Sequence, residues 1–98
     1  MSNSSSLIEL IDQELEAKTG LFFNLKRRII WELYIQDGEL IVKVHNFSFQ
    51  ITPSSKSKFR PVNTLINLEI EFEKLSPFGY LNMHIYAKGR KRATFFLI

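Results

Sequence analysis

The sequence predicts an α+β fold, with an N-terminal α-helix packed on a four- to five-stranded antiparallel β-meander that is either open or strongly curved and barrel-like. Three observations carry this reading. A capped stretch near the start repeats its apolar residues at helical spacing. Two alternating segments flank Asp37-Gly38, and two more flank Ser76-Pro77-Phe78-Gly79.

A chain of 98 residues fits one small domain, divided here into a disordered tail at 1–5 and a single α+β domain at 6–98. The hydrophobic fraction is 45% and includes nine phenylalanines, enough for one core without a disulfide or metal. The chain has no cysteine, which removes disulfide scaffolds, thiolate metal sites and cysteine nucleophiles together. The polar start, MSNSSS, does not read as a signal peptide. No apolar run approaches the roughly 18 residues that span a bilayer. A cytoplasmic protein without membrane association is expected.

Ser6 and Glu9 form a capping box, each side chain able to satisfy a free amide at a helix start. Leu7, Ile8, Ile11 and Leu15 share one face, and Thr19-Gly20 ends the helix. Residues 21–25 read as either a linker under the helix or a short strand. Ile29, Trp31, Leu33 and Ile35 then alternate with more polar neighbours. A type I′ turn at Asp37-Gly38 sets Ile35 against Leu40, Leu33 against Val42 and Trp31 against Val44, with Glu32 against Lys43 on the other face. The apolar positions switch from even (Leu40, Val42, Val44) to odd (Phe47, Phe49, Ile51), which predicts a β-bulge or sharp bend at His45-Asn46. Residues 52–63, with two prolines, three serines and three bases, read as a long loop. Residues 64–74 and 80–88 read as a hairpin pairing Phe72 with Met83, Ile70 with Ile85 and Glu71 with His84. A turn near Gly89-Arg90 leads to a last strand at 92–98, its register open by one residue.

Little in the chain suggests catalysis. His45 and His84 stand in no metal-ligand spacing, and no phosphate loop or nucleophile elbow is present. Glu71 opposite His84 has the composition of an acid/base pair, but such a pair is more often an ordinary cross-strand pair on a solvated face. Glu69, Glu71 and Glu73 form a stripe with ligands about 7 Å apart, which suits a solvated face better than a metal cage. The expectation is a non-enzyme with no catalytic, cofactor-binding or metal-binding residues and no cofactor.

The second sheet face is more apolar than a solvated face requires. It predicts a protein-binding module, an adaptor, inhibitor or regulator, anchored by Tyr34, Tyr86, Phe96 and Ile98. Its partner would be another protein or a second copy of the chain. The alternative is RNA or DNA binding through Lys56, Lys58, Arg60, Arg90, Lys91 and Arg92, with Phe59 as a stacking ring between two bases. Net charge is +3, with bases clustered at 26–28, 56–60 and 88–92; turn bases of this kind also simply keep a sheet in solution.

The hairpin around Asp37-Gly38, and Ile85-Tyr86-Ala87-Lys88-Gly89 leading into Phe95-Phe96-Leu97-Ile98, loosely resemble the Sm-like RNA-binding fold and its second motif. The resemblance implies a helix followed by five strands, and ring oligomers. The glycine, acidic, methionine and asparagine positions of the first Sm motif have no counterparts, so no family is assigned. Helix-on-sheet architecture of the cystatin kind is similar only at the level of fold.

Overall fold

The computed structural model describes residues 12–74 and 81–98. Its elements are a short helix α1 (Asp12–Glu16) and strands β1 (Gly20–Asn24), β2 (Ile29–Gln36), β3 (Glu39–Val44), β4 (Phe47–Pro53), β5 (Lys58–Val62), β6 (Glu69–Lys74), β7 (Leu81–Ala87) and β8 (Arg90–Leu97). The strands are antiparallel, each beside the next in sequence, and β1 pairs with β8 to close a barrel. The expected α+β meander of four or five strands is thereby overturned: among the described residues the protein is nearly all β, with eight strands in a closed barrel and five helical residues. It is neither the five-stranded Sm-like arrangement nor a helix laid on an open sheet. The capping box, Leu7, Ile8 and Ile11 lie outside the described residues, as do the tail at 1–5 and the turn at 76–79.

Two hairpins keep the predicted registers. Trp31, Leu33 and Ile35 face Val44, Val42 and Leu40, and Glu32 faces Lys43. Ile70, Glu71 and Phe72 face Ile85, His84 and Met83. Asp37 and Gly38 both have positive φ (54° and 77°), the backbone that a type I′ turn demands.

The differences have physical causes. His45-Asn46 is a two-residue turn, with Val44 against Phe47 and His45 at φ 50°, so no bulge is needed there. A two-residue turn pairs each residue i with i+3, which by itself moves the inward positions from even to odd. Residues 52–63 form a hairpin, because prolines that argue for a loop are tolerated where a strand lacks a partner. Pro61 faces Ile51 of β4, beyond the last pair that β5 makes with β6. Ile66 and Leu68 precede β6 and pack half-buried against the core from a non-strand segment. The true bulge lies in β8: Tyr86 faces Lys91 and Ile85 faces Ala93, leaving Arg92 as the extra residue.

Alternation along the strands sends one set of side chains into the barrel. Phe22, Phe59 and Phe95 are its largest fully buried members, and Phe72 meets Phe59 and Phe22 edge-on at centroid distances of 5.5 and 6.1 Å. Eight strands give an interior narrow enough for side chains to fill. Leu15 of α1 is buried in the same core, so α1 stoppers one end of the barrel. Lys18 follows it, donating to the Glu14 carbonyl (3.1 Å) with its ammonium 6.0 Å from the Phe59 ring and 5.9 Å from that of Phe72. Burial lowers the Lys18 pKa, and Glu14 offsets part of that effect. Gly20 opens β1 at φ 132°, and a Cβ there would stand 2.9 Å from Leu97 Cδ1 across the closing seam.

Phe59 tests β5 directly. Phe59→Ala should lower the free energy of unfolding in urea by about 3–5 kcal/mol, the cost of emptying a buried aromatic position. A loss below about 0.5 kcal/mol would return 52–63 to a surface loop.

Candidate functional site

In an up-and-down barrel, successive turns alternate between the two ends. α1, the Asp37-Gly38 turn and the 54–57 turn share one end, while the turns at 25–28, 45–46 and 88–89 and the 63–68 segment share the other. This second end collects the bases Lys26, Arg27, Arg28, Lys88, Arg90, Lys91 and Arg92, all exposed. Its turns and the 63–68 segment contain no acid, and the nearest acid in β6 is Glu69. The opposite end carries Glu14, Glu16, Asp37 and Glu39.

Closure turns part of this charge into a groove. The β1–β2 turn supplies one wall, with Leu25, Lys26 and Arg27. The start of β8 supplies the other, with Lys91, Arg92 and Ala93; Thr94 and Asn24 lie between them, and Phe96 stands at one side. The groove is open to solvent, measures about 770 Å³, and has no acidic residue among its described lining. A cleft of one charge sign focuses the field toward an anionic ligand.

Each wall has a local cause. Asn24 is 3% exposed and frames the first. Its amide nitrogen donates to the Thr94 carbonyl (3.0 Å), and its side-chain oxygen accepts the Arg27 amide (2.6 Å). The Arg28 amide donates to the Asn24 carbonyl (2.8 Å), and Arg28 takes φ 55° to close the turn. The second wall depends on the bulge. In a regular strand Lys91 and Arg92 would point to opposite faces; the extra residue leaves both exposed.

Thr94 is held from behind. His84, only 8% exposed although it faces outward, contacts the Thr94 hydroxyl through Nδ1 (3.0 Å) and Glu73 Oε1 through Nε2 (2.7 Å). The carboxylate paired with His84 is thus Glu73, not the expected Glu71. Desolvation, and after it the neighbouring Glu71 carboxylate, raise the Tyr86 pKa.

The expected sites regroup. Phe96 and Ile98, 44% and 68% exposed, share a strip with Phe23, Ile30 and Leu21 across β8, β1 and β2. Phe96 faces Phe23, Phe23 faces Ile30, and the Ile98 amide donates to the Leu21 carbonyl (2.9 Å). Tyr34 pairs with Ile41, one row beyond the strip, and is half-buried. Tyr86 lies between Glu69 and Lys91 on the acidic side of β7, apart from the strip. Arg90, Lys91 and Arg92 join the basic end. Lys56 belongs to the opposite end, and Lys58 and Arg60 stand on β5, with Lys58 facing Glu71. Phe59 is buried in the core and presents no stacking face. Lys26, Arg27 and Phe23 enter the site without having been expected there. The cluster at 26–28 is visible in the sequence, but its place beside 90–92 depends on a strand pairing between opposite ends of the described chain.

Among the described residues no three His, Cys, Asp or Glu side chains gather as metal ligands. No helix there is long and apolar enough to cross a membrane. Comparisons with family models, with curated proteins and with solved structures return no match.

Asn24→Ala leaves the Arg27 amide and the Thr94 carbonyl without their partners. It should destabilise the protein by about 1–3 kcal/mol and raise hydrogen exchange at the 25–28 amides above that at β2–β3. Unchanged exchange at those amides would mean that the turn holds its shape without Asn24.

Proposed function

We propose that this protein is a non-enzymatic, cytoplasmic binding module whose basic groove takes the phosphate backbone of a nucleic acid. One observation carries the reading: bases from opposite ends of the chain stand on the two walls of a single groove with no acid in its described lining. Lys26, Arg27, Lys91 and Arg92 supply the charge, and Asn24 and Thr94 hold the walls at a set distance. Phosphate neutralisation releases condensed counterions, so such binding weakens as salt rises.

A second reading, the docking of a protein partner or a second copy, rests on the exposure of Phe96 and Ile98. It draws no support from Tyr34 or Tyr86, which lie off that strip. Burial of an apolar strip does not release counterions, so weak dependence on salt would mark this reading.

Fluorescence anisotropy with labelled RNA and DNA oligonucleotides separates the two. Four neutralised phosphates give a log–log salt slope of about −2.8 on a single strand, so raising salt from about 50 to about 200 mM should weaken binding roughly 50-fold. Lys26→Glu with Arg92→Glu should remove most of the binding and flatten the slope, whereas Lys56→Glu with Lys58→Glu should change it less than about twofold. Equal losses in both double variants would show that overall charge, not the groove, is responsible.

A further inference from the structure

Resting on the groove reading, we infer that the ligand is single-stranded, its phosphates lying between the basic walls and its bases stacking on the apolar strip that begins at Phe96. Phe96 belongs to both features. It lines the groove and is also the first residue of the cross-strand row Phe96, Phe23, Ile30. Neighbouring strands lie about 4.8 Å apart, so this row forms a continuous apolar shelf directly beside the charged channel. A shelf of rings and aliphatic groups accepts base faces and offers nothing to a phosphate.

The same layout disfavours a duplex. The two backbones of a duplex border a major groove about 12 Å wide. With one backbone in the channel, the second would reach either the apolar shelf or the acidic face of β6. Glu69, Glu71 and Glu73 stand two strands from β8, about 10 Å away. The channel is therefore bounded by an apolar surface on one side and a negative one on the other. A strand with unstacked bases fits both limits: its charge stays in the channel and its bases turn toward β1. Because every base has a π-face and nothing in the shelf hydrogen-bonds base edges, recognition should tolerate sequence.

The test uses the full chain, a labelled 12-residue single strand as RNA and as DNA, a blunt duplex of the same sequence, and inorganic polyphosphate as competitor. Single strands should bind at least tenfold more tightly than the duplex. Phe96→Ala should weaken single-strand binding by about 5- to 150-fold, the range for loss of one stacked base, and leave the salt slope unchanged. Phe96→Trp should retain binding and report the stacked base by quenching of the new indole. Phe96 is an exposed strand residue, and a thermal melt of each variant confirms the fold. Duplex binding equal to single-strand binding, or Phe96→Ala without effect, would overturn the single-strand inference and leave the groove reading standing. Absence of salt-dependent binding to every oligonucleotide and to polyphosphate would overturn both. Loss of a dimer in sedimentation on Phe96→Ala, without oligonucleotide binding by the parent protein, would assign the shelf to protein docking instead.

Discussion

Pairing between β1 and β8 is the contact on which the remaining architecture depends. It consists of Phe22 against Leu97 and Phe23 against Phe96, extended by the hydrogen bond from Ile98 to Leu21 and by the Asn24 amide reaching Thr94. Without it, β1 and β8 would both be sheet edges with unpaired backbone groups. With it, every strand has a neighbour on each side, and the apolar run Phe95-Phe96-Leu97-Ile98 has an explanation. Phe95 goes into the core, Leu97 packs on it, and Phe96 and Ile98 remain on the outside beside β1. Closure accounts for the inward half of this run, while Phe96 and Ile98 stay exposed as an outer apolar face.

Closure also sorts the charge. An even number of antiparallel strands sends alternate turns to opposite ends, so the distribution of charge among turns becomes a polarity of the whole body. The bases at 26–28 and 88–92 fall on one end, and acids of α1 and the β2–β3 turn fall on the other. The three-residue acidic stripe of β6 runs along the side, with Glu73 holding His84 and Glu71 facing Lys58. A modest net charge of +3 therefore conceals a surface divided into strongly different regions.

Much of this arrangement was legible locally. The Asp37-Gly38 hairpin and the β6–β7 register follow from period-2 alternation and turn chemistry, and both hold residue by residue. What was not legible required tertiary information. The turn at His45-Asn46 lacks a glycine, so its change of parity predicts a bulge or a sharp bend rather than a hairpin turn. Pro53 and Pro61 hid β5 and the end of β4, although Phe59 between two bases occupies an inward position. The bulge at Arg92 leaves no compositional trace, yet it decides that Lys91 and Arg92 are both exposed. Lys26 and Arg27 were visible as a basic cluster, but no periodicity links them to 90–92. For the same reason the four aromatic and aliphatic anchors appeared to share a face in the sequence and separate into different rows on the barrel.

The framing role of Asn24 has one more consequence. Its hydrogen bonds bind the groove wall to the seam, so the groove exists only while the first and last strands are joined. Those strands are the most distant in the described chain, and contacts of such separation are the slowest to form. Any ligand bridging the two walls holds the barrel shut and does not bind the opened chain. By mass action, a ligand at a hundred times its dissociation constant would add about 2.7 kcal/mol to stability. Occupancy and integrity are in this way a single equilibrium, and the filled protein is also the one best protected from opening and proteolysis.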